Sequence, residues 1–267
     1  QPVSMVETIR PGSSKAQLVL PDGRRVDLEV EGDSICRQLE GGNFVNDGKQ
    51  LVYHEQENGK RIQWHTLSVP RGGEYKLVLA DGTRVWLNAA SELMYPDHFS
   101  ADQRKVVLKG EAYFEVTKDV KRPFSVVLGD MEVKVLGTSF NVSAYPGVKR
   151  QTTLIEGQVA QQVVIRPGQQ AAETDEGLRV ASVNVMNYVG WKEHRFVYEN
   201  KLLGEVLEDL ERWYDVEVFV MHDEIRNLHL TANLPRYENM DKVLEIIEYA
   251  ACVKFEVKGR TVVVRRD

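Results

Sequence analysis

Nothing in these 267 residues approaches the ~18 to 20 consecutive apolar positions that a membrane helix needs. Cysteine is nearly missing too. Cys36 and Cys252 stand near opposite ends, with no C-x-x-C spacing and few histidines close by, a pattern that fits none of the usual zinc arrangements. Both are expected to be small core residues. Basic blocks are absent: 34 Lys and Arg face 40 Asp and Glu, the net charge is −6, and no Lys/Arg stripe forms, which argues against nucleic acid as a partner. Signature motifs of catalysis are missing as well. There is no G-x-S-x-G and no G-x-x-x-x-G-K-[ST], and no helix pattern follows Gly137-Thr138-Ser139 to hold an anion.

What remains is a chain that is 42% apolar, enough for a substantial core. Its most informative stretch is Glu74 to Ser91, EYKLVLADGTRVWLNAAS. Apolar residues alternate on both sides of Asp81-Gly82, and Asp-Gly between two such runs is a hairpin signal, because Gly accepts positive φ without a Cβ clash. Leu77 and Leu79 are therefore expected on one face of a strand, and Val85 and Leu87 on one face of its partner. An earlier copy surrounds Asp22-Gly23. The two turns match at eight of eleven positions, L-V-L-x-D-G-x-R-V-x-L, 59 residues apart, which suggests a shared structural unit.

Along the chain, Gln1 to Gly12 shows no clear period. Turn residues cluster at Gly41-Gly42-Asn43, Asn46-Asp47-Gly48 and Glu57-Asn58-Gly59. Strand patterns follow at Gln50–His54, Arg61–Val69, Lys105–Val116, Pro123–Val127, Glu132–Leu136, Ser139–Ala144, Thr152–Ile155, Gln158–Val164 and Arg179–Val185. No helical period appears between residues 13 and 185. Many short strands at close spacing indicate an all-β domain, either a sandwich or a solenoid-like stack.

The pattern changes near Trp191. In Lys201 to Tyr214, Leu203, Val206, Leu207, Leu210 and Trp213 fall on one helical face, with Asn200 placed as N-cap. A second amphipathic helix spans Asn239 to Ala251, with Met240, Val243, Leu244 and Ile247 inward and Asn239 as N-cap. Strands at Phe196–Tyr198, Glu217–Met221, Leu228–Leu234, Lys254–Val257 and Thr261–Arg265 complete the order β-α-β-β-α-β-β. The expected division is an all-β domain over residues 1–187 and a small α+β domain over residues 188–267.

Three constellations invite a chemical reading. Glu111 and Glu115, four apart on a strand, share a face and resemble a glycosidase pair; a solvated strand face explains them with fewer assumptions. His222 and His229 lack the further ligands a metal site needs, so no metal or cofactor is expected. Trp86, Tyr113 and Tyr145 would stack on sugar rings if they formed an exposed row. Trp86 stands out because it points opposite to Val85 and Leu87. A simpler idea is docking through a strand edge, since a small sheet offers unpaired N–H and C=O groups to a partner. The edge near Leu228 to Leu234 is the candidate, with Leu228, Leu230, Ala232 and Trp86 as partner-binding residues.

Several ordered motifs carry a family resemblance. Leu77 to Ser91, Tyr95-Pro96, Val106 to Val116 (V-x-L-x-G-E-A-Y-F-E-V), Pro123 to Val126, Val135 to Tyr145 (V-L-G-T-x-F-N-V-x-A-Y), Thr153 to Val159 and Pro167 to Ala171 together resemble FecR-type anti-sigma regulators. Trp191-Lys192, Phe196 to Leu203, Leu210 to Val216 and Asn239 to Leu244 resemble the C-terminal domain that follows in this family. Its strand and helix order is similar to the signalling domain of some outer-membrane transporters and secretins. Where the family has Trp-Lys-x-Gly, this chain has Trp191-Lys192-Glu193-His194. The resemblance implies a non-enzymatic periplasmic sensor region, tethered to the inner membrane by a helix outside this sequence. Its implied partners are the N-terminal signalling domain of a TonB-dependent outer-membrane transporter and, through a cytoplasmic segment also outside it, an extracytoplasmic-function sigma factor. The alternative is a β-domain that senses a glycan directly.

Overall fold

The structure, a computed structural model, describes residues 8–29, 44–55, 61–157, 159–160 and 164–267. Cys36 and the turns expected at 41–43 and 57–59 lie outside the described residues, as does part of the strand expected from 158 to 164. Two compact units emerge: residues 14–185, and residues 186–267 together with the stretch around Ile9.

The first unit is built from short strands. In chain order they are β1 (Ser13–Ser14), β2 (Gln17–Val19), β3 (Arg25–Asp27), β4 (Phe44–Asn46), β5 (Gln50–Tyr53) and β6 (Trp64–Val69). Next come β7 (Gly73–Val78), β8 (Arg84–Leu87), β9 (Ser91–Pro96), β10 (Arg104–Glu115), β11 (Phe124–Leu128) and β12 (Met131–Val135). The series ends with β13 (Ser139–Ala144), β14 (Gln151–Glu156), β15 (Val159–Ala160), β16 (Val164–Ile165), β17 (Gln169–Thr174) and β18 (Gly177–Ser182).

Pairing sorts these strands into two sheets that the chain visits in alternation. One runs β3-β2-β6-β9-β10-β11-β12-β15-β16. The other runs β4-β5-β7-β8-β10-β13-β14-β17-β18. The chain advances along both sheets as it crosses between them, so the solenoid-like reading of the β-domain is the apt one. Their facing sides form one core, from Leu18, Leu67, Leu93 and Phe124 on one sheet to Leu51, Leu77, Val85, Phe114, Phe140 and Leu154 on the other.

β10 belongs to both sheets. Residues 104–109 pair in the first and residues 110–115 in the second. The switch occurs at Gly110, at φ +89°, where a Cβ would lie 2.4 Å from Ser91 Oγ and 2.8 Å from the Ala90 carbonyl. Only glycine fits there.

The two Asp-Gly turns are conformational copies. Gly23 and Gly82 sit at φ +85° and +81°. In each, the glycine N–H donates back three residues, to Leu20 O and to Leu79 O, both at 2.9 Å. Leu77, Leu79, Val85 and Leu87 all point into the core, as the alternation requires.

The second unit contains α1 (Met186–Val189), β19 (Arg195–Leu202), α2 (Leu203–Tyr214), β20 (Glu217–Val220), a 3-10 turn (Asp223–Asn227), β21 (His229–Pro235), α3 (Met240–Ala251), β22 (Val253–Lys258) and β23 (Thr261–Arg266). β19 pairs with β21, antiparallel. β23 lies between β20, parallel to it, and β22, antiparallel to it. The expected inward faces of both helices are buried, including Trp213.

Two local readings, those of Asn200 and Cys252, need correction. Asn200 is not the cap of α2. It sits at φ +53° in a bulge of β19, and its N–H donates to Thr231 Oγ1 at 2.9 Å, while the helix begins after Leu202. Asn239 does hold the N-cap position of α3 but makes no side-chain capping bond. The Met240 N–H instead donates to the Ile9 carbonyl at 3.1 Å, so the stretch with no sequence period carries a buried anchor. Cys252 is exposed, not core. It is the left-handed C-cap of α3 at φ +52°, and its position at the helix end turns it outward.

Candidate docking surfaces

The outward side of the sheet containing β10 aligns Lys76, Trp86, Tyr113, Asn141, Thr153 and Gln170 across successive strands. Trp86 is half-buried, with its ring edge-on to Tyr113 at 5.7 Å and Lys76 Nζ 5.2 Å from its centroid. Tyr113 and Tyr145 are buried, and the Tyr145 hydroxyl donates to the Ala89 carbonyl at 2.9 Å. The three aromatics therefore do not form the exposed row that sugar stacking requires.

Glu111 and Glu115 do share a face, but each is committed. Glu111 accepts from Asn88 Nδ2 at 2.7 Å through one oxygen and from Asn141 Nδ2 at 2.9 Å through the other. Glu115 pairs with Arg84 at 2.5 Å. Neither arrangement resembles two opposed carboxyls across a cleft.

In the second unit, Leu230 is buried, and Leu228 and Ala232 are half-buried. What β21 presents outward is His229, Thr231 and Asn233, together with its main chain. His222 and His229 are both exposed. Phe219 and Met221 are exposed apolar side chains at the β20 side of the three-stranded sheet.

Two glutamates each cap one amide at an edge of that sheet. The Val218 N–H donates to Glu211 Oε1 at 2.7 Å, and the Phe255 N–H donates to Glu248 Oε1 at 2.7 Å. Glu211 and Glu248 are 37 positions apart, at the same place on helices of equal length that both end in a left-handed cap. Leu203–Val220 (LGEVLEDLERWYDVEVFV) and Met240–Val257 (MDKVLEIIEYAACVKFEV) share six identities in eighteen positions. The unit is thus two βαβ copies, each carrying its own edge cap. The repeat is visible in sequence as V-L-E-x-x-E-x-x-x-x-V.

The family model described as FecR protein matches residues 65–160, and that described as FecR, C-terminal, matches residues 195–264. The chain belongs to the FecR family. Two crystal structures of a candidate anti-sigma factor from Parabacteroides distasonis ATCC 8503 resemble it with a TM-score of 0.70 and 27% identity, covering 76% of this chain and 99% of theirs. No curated protein matches. FecR proteins are membrane-anchored regulators of sigma factors, a regulatory kind of protein and not an enzymatic one. Among the described residues of this FecR chain, no helix is long and apolar enough to cross a membrane. His194 takes φ +60°, so the turn after Trp191-Lys192 is made with a left-handed residue that is not glycine.

Proposed function

We propose that this chain is the periplasmic sensor region of a FecR-type anti-sigma regulator. It receives a signal from the N-terminal signalling domain of a TonB-dependent outer-membrane transporter by protein docking. The signal passes through a membrane helix and a cytoplasmic segment, both outside this sequence, to an extracytoplasmic-function sigma factor. The observation that carries this reading is the C-terminal FecR unit. It is a small sheet-and-helix module of the type that pairs with other chains, and Glu211, Glu248 and Asp209 within it are held in edge caps and ion pairs. The glycan-sensing alternative loses its platform because Tyr113 and Tyr145 are buried.

Titration calorimetry of the intact chain against the signalling domain of a transporter encoded beside it tests the proposal. Micromolar or tighter binding supports it. No heat of binding with both partners folded contradicts it.

A further inference from the structure

The strand edges of the C-terminal unit are not equivalent. Those of β20 and β22 each have an outward amide capped by a side chain, Val218 by Glu211 and Phe255 by Glu248. The outer edge of β19 is covered at its start, where the Arg195 N–H donates to the Gly190 carbonyl at 2.9 Å. A Cβ on Gly190 would lie 2.8 Å from Val197 Cγ2, so the turn after α1 runs directly against that strand.

β21 is different. The Arg236 N–H donates to His194 O at 3.0 Å, and the Leu203 N–H donates to Leu228 O at 2.7 Å. These bonds set the phase of the ladder, in which Leu234, Ala232 and Leu230 stand opposite Phe196, Tyr198 and Lys201. Successive residues of an antiparallel strand turn their N–H and C=O groups to opposite edges. The main chain of His229, Thr231, Asn233 and Pro235 therefore faces away from β19. Proline at one of these positions agrees with that phase, since it has no ladder N–H to give. All four residues are exposed. Among the described residues, no strand pairs with this edge.

One side chain marks the end of the open stretch. Arg195 Nη2 donates to the Asn233 carbonyl at 3.1 Å, and its Nε donates to Asn233 Oδ1. Between His229 and Asn233 there remain three outward amides and the carbonyls of His229 and Thr231. Arg195 forms no ion pair among the described residues, so a carboxylate arriving at this end gains one.

We infer that the outer edge of β21, from His229 to Asn233, receives an extended strand of a protein partner through main-chain pairing. The incoming segment carries an acidic side chain at the end beside Arg195. This inference rests on the docking reading above and narrows it to one edge. Leu230 and Leu234 stay in the core throughout, so sequence preference comes from His229, Thr231, Asn233 and Arg195.

Hydrogen exchange of the intact chain, free and bound to the transporter signalling domain, tests it. The amides of His229, Thr231 and Asn233 are expected to exchange fast in the free chain and at least about tenfold slower in the complex. Asn233→Pro removes one outward amide without touching the ladder to β19, and is expected to weaken binding about tenfold or more at an unchanged melting temperature. Phe219→Ser, beside a capped edge, should bind as the parent does. Binding with no added protection at 229–233 overturns the inference and leaves the docking reading standing. No binding at all defeats that reading and this inference with it. If Asn233→Pro fails to fold, the exchange pattern of the unsubstituted chain decides alone.

Discussion

The turns at Asp22-Gly23 and Asp81-Gly82 have the same local sequence and the same backbone, yet they sit in opposite environments. At the first, Asp22 pairs with Arg24 two residues on, and both side chains are more than half exposed. At the second, Asp81 pairs with Arg104 at 2.8 Å, with side-chain exposures of 7% and 0%. Arg104 also donates to the carbonyls of Thr117 at 2.7 Å and Arg122 at 2.9 Å, and it lies over the Phe124 ring. Asp81 in turn accepts from the Thr83 N–H and hydroxyl. Local sequence determines the shape of a turn, and a distant residue determines how much stability depends on it.

The largest expected effect breaks the buried side of this comparison. Arg104→Met leaves Asp81 without its cation in the interior and is expected to cost roughly 3 to 5 kcal/mol in urea unfolding. A loss near zero would mean that the pair contributes nothing beyond its burial. Next come the glycines. Gly23→Ala and Gly82→Ala each place a Cβ at positive φ, so each should lose roughly 1 to 2 kcal/mol. The loss should be slightly larger at Gly82, where Thr117 Oγ1 lies 3.4 Å from the new atom while nothing lies within 4 Å at Gly23. A large difference between them would show that the two turns are not equivalent backbones.

Acidification separates buried polar groups from exposed ones. His65 is buried between the sheets, where its Nδ1 meets the Tyr53 hydroxyl at 2.5 Å, and the Tyr95 hydroxyl donates to Tyr53 at 3.1 Å. Burial lowers the His65 pKa, although the nearby Asp97 opposes the shift. The unfolded chain then binds the proton that the folded chain refuses. Stability is therefore expected to fall as pH drops below the ordinary histidine value near 6.5, by at most about 1.4 kcal/mol per pH unit. His65→Gln should flatten the profile between pH 7 and 5. An unchanged profile would place the sensitivity elsewhere. The smallest effect belongs to the exposed pair: Arg24→Met should leave the unfolding midpoint where it was.

Much of this fold was legible because periodicity reports which side of an element is buried. The hairpin faces at Leu77, Leu79, Val85 and Leu87 follow from alternation, and the helix faces around Leu207 and Leu244 follow from the 3.6 period. Partners distant in sequence leave no such trace, which is why nothing in the sequence singles out Arg104. The sheet switch had a signal, a glycine in the middle of a twelve-residue strand, but it does not say which neighbour excludes a side chain. Asn200 was misplaced because a bulge and a cap both favour Asn. In the second unit, strand order was readable and the edge caps were not, since Glu211 and Glu248 look like any solvent-facing glutamate until the 37-residue repeat is aligned.

The most direct test of the relay is a sigma-dependent reporter in cells that carry the full-length regulator and a transporter lacking only its N-terminal signalling domain. The account predicts that the reporter no longer responds to the imported nutrient while regulator abundance stays the same. A full response without that domain would contradict it.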